Sequence, residues 1–281
     1  MNLATYRYHS EVAPNPFAKK LPIPNVGRIV LTTSCKGGVG KSTVALNTAI
    51  ALAKAGHRVG LLDADVYGPS IPTMTNTNGM PLQMTQDEKF LPVYAHGIET
   101  VSVGNAVGKE SALMWKGPLI GGLIGQLMKQ SQWSTLDYLI VDTPPGTGDV
   151  QMALYDSAPI DGSLIVTSPQ NVAMADVIRN VDMFNKMKIP VLGVVQNMDG
   201  FVCPCCKEVT KIFDGKLAEE MAKKNNYEML ASIPIDPTLS QCADKGIPAI
   251  LQHPDSSYAK MFDSIAKKIV QKLPKKQAEP K

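Results

Sequence analysis

An α/β fold built on a doubly wound, mostly parallel sheet is what this sequence predicts, and three observations predict it. Short apolar runs rich in β-branched residues recur along the chain, with helical patterns between them. The first run ends in a glycine-rich loop that opens directly into a helical pattern. Two later runs end in aspartate, which places carboxylates at the strand ends where such sheets bind ligands. With 281 residues, 44% of them hydrophobic, one large domain can bury a sizeable core. That domain is expected over residues 28–273.

The elements follow in order. Residues 1–27 carry Pro14, Pro16, Pro22 and Pro24 without apolar periodicity and read as an extended N-terminal arm. A first strand is expected at 28–33. Further buried parallel strands are expected at 58–63, 98–103, 138–142, 163–167 and 191–196, with another candidate at 229–233. Helical spacing fits 44–55, 119–130, 172–187, 215–225 and 258–273. In the last of these, Tyr258, Met261, Phe262, Ile265, Ile269 and Leu273 share one face, the mark of a helix docked on a sheet. Lys267, Lys268 and Lys272 flank that face, so a helix lying on a membrane surface is the competing account. The lysine- and proline-bearing tail, 274–281, reads as disordered.

Charge and composition narrow the function. The net charge of +3 is uneven: residues 267–281 hold six lysines and one glutamate, leaving 22 basic against 24 acidic residues before them. No basic stripe is interleaved with aromatics, which argues against nucleic-acid binding as the main activity. No apolar run reaches the ~18 residues a membrane-spanning helix needs. Three of the five cysteines fall within 203–206, which suits a metal or redox role in a reducing compartment better than a disulfide framework. The segment Met1–Ser10 has one arginine, one histidine and no acid, compatible with the remnant of a mitochondrial presequence but too short to decide.

The glycine loop reads Ser34-Cys35-Lys36-Gly37-Gly38-Val39-Gly40-Lys41-Ser42-Thr43. A glycine-rich turn that happens to carry lysines is the plain alternative. The seating of Gly-Lys-Ser between strand and helix favours a nucleoside-triphosphate site instead. Glycines 37, 38 and 40 let backbone N–H groups turn inward, and the helix start adds its positive dipole end. Lys41 can reach the β- and γ-phosphates, and the Ser42 hydroxyl can ligate Mg²⁺.

Leu61-Leu62-Asp63-Ala64-Asp65 and Val141-Asp142-Thr143-Pro144-Pro145-Gly146 close two strands. Strand-end aspartates often cap helices only. Their joint occurrence with the loop argues for one shared site, in which a carboxylate holds the hydration shell of Mg²⁺ and the stiff Pro-Pro-Gly turn switches towards a γ-phosphate.

Cys203 and Cys206 form a C-x-x-C pair after the strand at 191–196. Thiolates at this spacing can grip one metal ion or one cluster edge. Two ligands are half a set, and Cys205, Cys242, His57, His96 and His253 offer no second pair. A symmetric dimer would bring four thiolates together, enough for a bridging [4Fe–4S] cluster or a Cys₄ zinc site. A dithiol redox pair and an inert turn are the alternatives. Adjacent Cys205 is expected to project away and take no part.

The loop, with Cys35 in the first glycine position and the added Lys36, resembles the deviant Walker A class of MinD, ParA and nitrogenase iron-protein relatives. Together with Tyr67-Gly68-Pro69-Ser70, the Gly146-Thr147-Gly148-Asp149-Val150-Gln151 run, and Gln196-Asn197-Met198 followed by the cysteine pair, it is similar to the Mrp/nucleotide-binding-protein-like branch, over about residues 23–273. That resemblance implies an ATP-dependent homodimer that carries iron–sulfur clusters to apoproteins. It implies that Lys36 reaches the partner's nucleotide and Asp65 positions the attacking water, with Asp63 beside it. Asp142 takes the Walker B role, Asn197 reads adenine, and Cys203 and Cys206 hold a [4Fe–4S] cluster. Mitochondrial members assist assembly of respiratory complex I, so the resemblance implies the mitochondrial matrix, with the cytoplasm as the alternative. The arm has no four-cysteine motif of the larger cytosolic scaffold subunit, and Cys205 departs from the usual polar or basic residue. A MinD- or ParA-type organiser acting on membrane or DNA is the rival reading.

Overall fold

The computed structural model describes residues 20–106, 117–146, 148–170, 181–203, 205–206, 208–213 and 216–276. Most of the expected arm, the first part of the helix expected at 172–187 and the end of the tail lie outside the described residues. The main strands are β1 (Val26–Thr33), β2 (Val59–Asp63), β6 (Ile98–Ser102), β7 (Leu136–Asp142), β8 (Gly162–Thr167), β9 (Val191–Val202) and β11 (Met229–Ile235). Short strands β3 (Gln83–Met84), β4 (Phe90–Leu91), β5 (Val93–Ala95) and β10 (Val209–Thr210) complete the set.

Seven strands run parallel in the order β11-β9-β8-β1-β7-β2-β6, with β5 and β10 added antiparallel at the margins. From β1 the chain travels one way to β2 and β6, then returns through β7 and leaves the other way to β8, β9 and β11. β1 therefore stands at the topological switch point, where the strand carboxyl ends open a crevice for a ligand. Buried on both faces, the central strands are almost continuously apolar, as expected.

Alternate side chains feed two cores. Ile29, Leu31, Leu139 and Val141 face one side, towards α4 (Gly117–Gln130), α5 (Asp149–Ser157), α6 (residues 181–187) and α7 (Leu217–Lys224). Val30, Tyr138, Ile140 and Leu164 face the other, towards α1 (Lys41–Lys54) and α10 (Ser257–Lys272). Tyr258, Phe262, Ile265 and Ile269 of α10 are buried in that second core, with Met261 and Leu273 partly buried against it, so the apolar face docks on the sheet. No helix among the described residues is long and apolar enough to cross a membrane.

Several elements depart from the sequence reading. β1 starts two residues early, at Val26. β9 runs on through Asn197 to Val202, well past the expected end at 196. The short helices α2 (Ile71–Met74), α3 (Val103–Ala106), α8 (Pro237–Asp244) and α9 (Ala249–Gln252), and α5 itself, were not expected, because each is too short to show a helical period. The first tail residues are not free: the Pro274 carbonyl accepts a hydrogen bond from Arg28 Nε at 3.0 Å.

Candidate functional site

The loop between β1 and α1 is held open by backbone geometry. Gly38 and Gly40 adopt φ of +80° and +82°, the left-handed region that a β-carbon disfavours. At Gly40 a side chain would also overlap the Asn197 amide, whose Nδ2 donates to the Val39 carbonyl at 2.9 Å. Lys36, Gly37 and Gly38 are exposed, while Val39 and Lys41 are buried. The loop thus presents an open rim around a buried lysine.

Strand register assembles the acidic partners of that lysine. Asp142 of β7 stands opposite Thr32 of β1 on one side and Asp63 of β2 on the other, and Asp63 stands opposite Ser102 of β6. Lys41 Nζ donates to Asp142 Oδ1 at 2.6 Å and lies 3.3 Å from Asp65 Oδ2. Its ammonium is 3.5 Å from the Ser42 hydroxyl. The second Asp142 oxygen, Oδ2, is buried without a hydrogen-bond partner among the described residues. Such an oxygen is costly unless a cation or ordered water engages it. Asp142 and the Ser42 hydroxyl therefore fit a hydrated Mg²⁺ as the chemistry of their donors requires.

Asp63 is engaged differently. Its Oδ1 accepts from Asp65 N–H at 3.2 Å, and its Oδ2 accepts from Ile71 N–H at 3.2 Å and Ser102 Oγ at 2.9 Å. That carboxylate organises the turn carrying Asp65 and the start of α2. Asp65 gives one oxygen to Lys41 and the other to Tyr67 N–H at 3.3 Å.

Three acids crowd one lysine, and the protonation of Lys41, Asp142 and Asp63 reflects it. Burial works against the Lys41 ammonium, yet Asp142 and Asp65 outweigh it and hold its pKa above the ordinary value. Burial raises Asp142, with Lys41 opposing. Burial and then the Asp142 charge push Asp63 up to about 7. Phosphates arriving at Lys41 would compete with these carboxylates for the ammonium, and Mg²⁺ would supply the positive charge the site lacks.

The cysteines lie at the tip of the β9–β10 hairpin. Val202 and Phe201 pair with Val209 and Thr210, and Cys203 N–H donates to the Glu208 carbonyl at 2.9 Å. The backbone N–H groups of Cys206 and Cys205 point at the Cys203 sulfur and hold its pKa below the ordinary thiol value. Backbone donors of this kind stabilise a thiolate before any metal arrives. Cys203 is half-buried, whereas Cys205 and Cys206 are exposed. Among the described residues, no group of three or more His, Cys, Asp or Glu side chains could hold a metal ion.

A family description of this architecture exists: a ParA-type model described as NUBPL iron-transfer P-loop NTPase matches residues 25–270. The chain belongs to this family. An iron–sulfur cluster carrier protein of Aquifex aeolicus is 43% identical over 91% of this chain and 71% of its own length. An Arabidopsis thaliana iron–sulfur protein required for NADH dehydrogenase, mitochondrial, is 39% identical over 99% of this chain and 89% of its own. Among solved structures, the nucleotide-binding protein of Archaeoglobus fulgidus in complex with ADP superimposes with a TM-score of 0.73 at 34% identity. It covers 85% of this chain and 93% of that one.

For a P-loop NTPase of this family, the structure gathers Lys41, Ser42, Asp63, Asp65 and Asp142 at one crevice and sets Asn197 against the loop backbone. Cys35 is half-buried at the start of the loop, the Thr43 carbonyl accepts from Asn47 Nδ2 at 2.8 Å, and Lys36 is exposed. Cys205, expected to take no part, is exposed at the hairpin, as is Cys206. Sequence reasoning missed Ser102. Its only signal was a hydroxyl residue near the end of the run at 98–103.

The raised Asp63 predicts a pH dependence of stability. Between these values, a carboxyl that is near 7 when folded and 3.8 when unfolded takes up a proton on folding. Its contribution is full below the unfolded value and is lost as pH rises through the folded one. From about pH 4 to about pH 7, apo-protein stability from this group therefore falls as pH rises. Thermal midpoints of wild type and Asp63→Asn across this range check it: the variant should show a flatter profile, and identical slopes would refute the assignment.

Proposed function

We propose that this protein is an ATP-hydrolysing carrier that delivers [4Fe–4S] clusters to apoproteins, those of respiratory NADH dehydrogenase among them. The observation that carries the reading is a two-thiol hairpin, with backbone donors already aimed at Cys203, on the same strand that lines the phosphate loop. Lys41, Ser42 and the N–H groups of residues 37–43 bind the triphosphate and its Mg²⁺. Asp142 holds the hydrated cation, Asp65 orients the attacking water, and Asn197 reads adenine. The cluster is the cargo, held between Cys203 and Cys206 of one protomer and the same pair of a second copy. The Arabidopsis relative's name favours the mitochondrial matrix as the compartment, with the cytoplasm as the alternative.

Anaerobic reconstitution followed by iron, sulfide and zinc analysis tests this directly. About four irons and four sulfides per dimer are expected. One zinc per dimer with no sulfide would replace the reading with a zinc-stabilised protein. Lys36 supplies a second check, because it is exposed on the loop rim. Lys36→Ala should keep ATP binding while lowering turnover by ~10³ or more, the range for removing a cation supplied in trans. Unchanged turnover would remove the trans role.

A further inference from the structure

β9 joins the phosphate loop to the cysteine hairpin, and it does so through an irregularity. β9 and β11 pair until Asn197 stands opposite Ile233, and the next pairing is Phe201 with Ile235. β9 therefore advances four residues where β11 advances two, and Met198, Asp199 and Gly200 form a bulge. Met198 and Gly200 both take left-handed φ, 62° and 78°. At Gly200 a β-carbon would stand 3.0 Å from the Thr210 carbonyl oxygen, so the returning strand closes tightly over the bulge. Asp199 accepts a hydrogen bond from the Ser232 hydroxyl of β11, which pins the bulge to the regular sheet.

Both ends of this segment touch chemistry. On the near side, Asn197 donates to the Val39 carbonyl, and Met198 Cε lies 4.0 Å from where a Gly40 β-carbon would stand. On the far side, Gly200 is three residues from Cys203. Up to Gln196 the strand is fixed by β8 on one side and β11 on the other. The pairing with β8 then ends, so displacement at Asn197 can pass into the bulge.

We propose that Met198–Gly200 is a lever through which a nucleoside triphosphate in the loop repositions the thiols of Cys203 and Cys206, with Asp199 and Ser232 as its positioning residues. Packed interfaces move between discrete arrangements, which is how a small shift at a loop becomes a larger one at a hairpin. The lever deepens the proposed function and rests on it for the identity of the cargo. By linkage, the factor by which triphosphate changes cluster affinity equals the factor by which cluster changes triphosphate affinity.

The test uses the full chain without cluster and follows iodoacetamide labelling of each cysteine by mass spectrometry, with no nucleotide, with Mg-ADP and with a non-hydrolysable Mg-ATP analogue. In wild type, the analogue should change the rates at Cys203 and Cys206 by about fivefold or more, the low end of ordinary site-to-site coupling. Buried Cys242 should stay unchanged. Ser232→Ala and Asp199→Ala unpin the bulge from opposite partners. Both should bind the analogue as wild type does, yet lose the nucleotide response of the hairpin. Wild-type rates that ignore saturating analogue would overturn the lever, as would a full response retained in both variants. Failure of wild type to take up iron would instead overturn the cargo reading and leave this measurement standing.

Discussion

Lys41→Ala is expected to abolish ATP binding, raising the Kd at least a hundredfold. The charge-assisted contact of a buried ammonium with phosphate accounts for a few kcal/mol, and roughly 1.4 kcal/mol corresponds to each tenfold. The same substitution should also destabilise the apo protein, because Lys41 is the cation facing Asp142 and Asp65. Removing one member of a buried ion pair costs ~3–5 kcal/mol, most of it the uncompensated charge left behind. That second effect has a signature. With the lysine gone, Asp142 rises further and takes up a proton more readily, so the variant's stability deficit should shrink as pH is lowered. Nucleotide titration by calorimetry and denaturant unfolding at two pH values check both halves. ATP affinity equal to wild type would sink the site, and a deficit independent of pH would remove the unpaired-carboxylate explanation.

What the sequence made legible was what it wrote contiguously. The phosphate loop could be placed because its turn, its lysine and its helix start lie within ten residues, and the strand-end aspartates because apolar runs point at them. The central strands could be read because burial on both faces leaves their middles a run of apolar residues, as in Tyr138–Val141 and Leu164–Val166. Contacts made by the fold were not legible. Ser102 reaches Asp63 across 39 residues of chain, and nothing local marks that pairing. Asp63 looked like a companion of Asp65 at the ligand, yet its oxygens are taken by Asp65, Ile71 and Ser102. The end of β9 was misread for a related reason. Asn197-Met198-Asp199-Gly200 has the composition of a loop, and only pairing with β11 and β10 on either side makes it a bulge within a strand.

The cysteine hairpin gives the most exposed expectation: Cys203→Ala or Cys206→Ala should eliminate the cluster, while Cys35→Ala should leave it largely intact. Cys203 is the better prepared ligand, because two backbone N–H groups already favour its thiolate. In the proposed function Cys206 would supply the facing thiol, at the spacing one cluster edge requires. Cys35 lies at the loop, half-buried, and belongs to the first core rather than to the hairpin. Cys205→Ala should also leave the cluster largely intact. With the cluster shared between two copies as proposed, reconstituted wild type should carry one four-iron cluster per dimer, and cluster loss should weaken the dimer. Iron content, visible absorbance and sedimentation of the same samples decide the matter. Four irons on a strict monomer would contradict the shared site, and a cluster retained in the Cys203/Cys206 double variant would move the cargo away from this hairpin altogether.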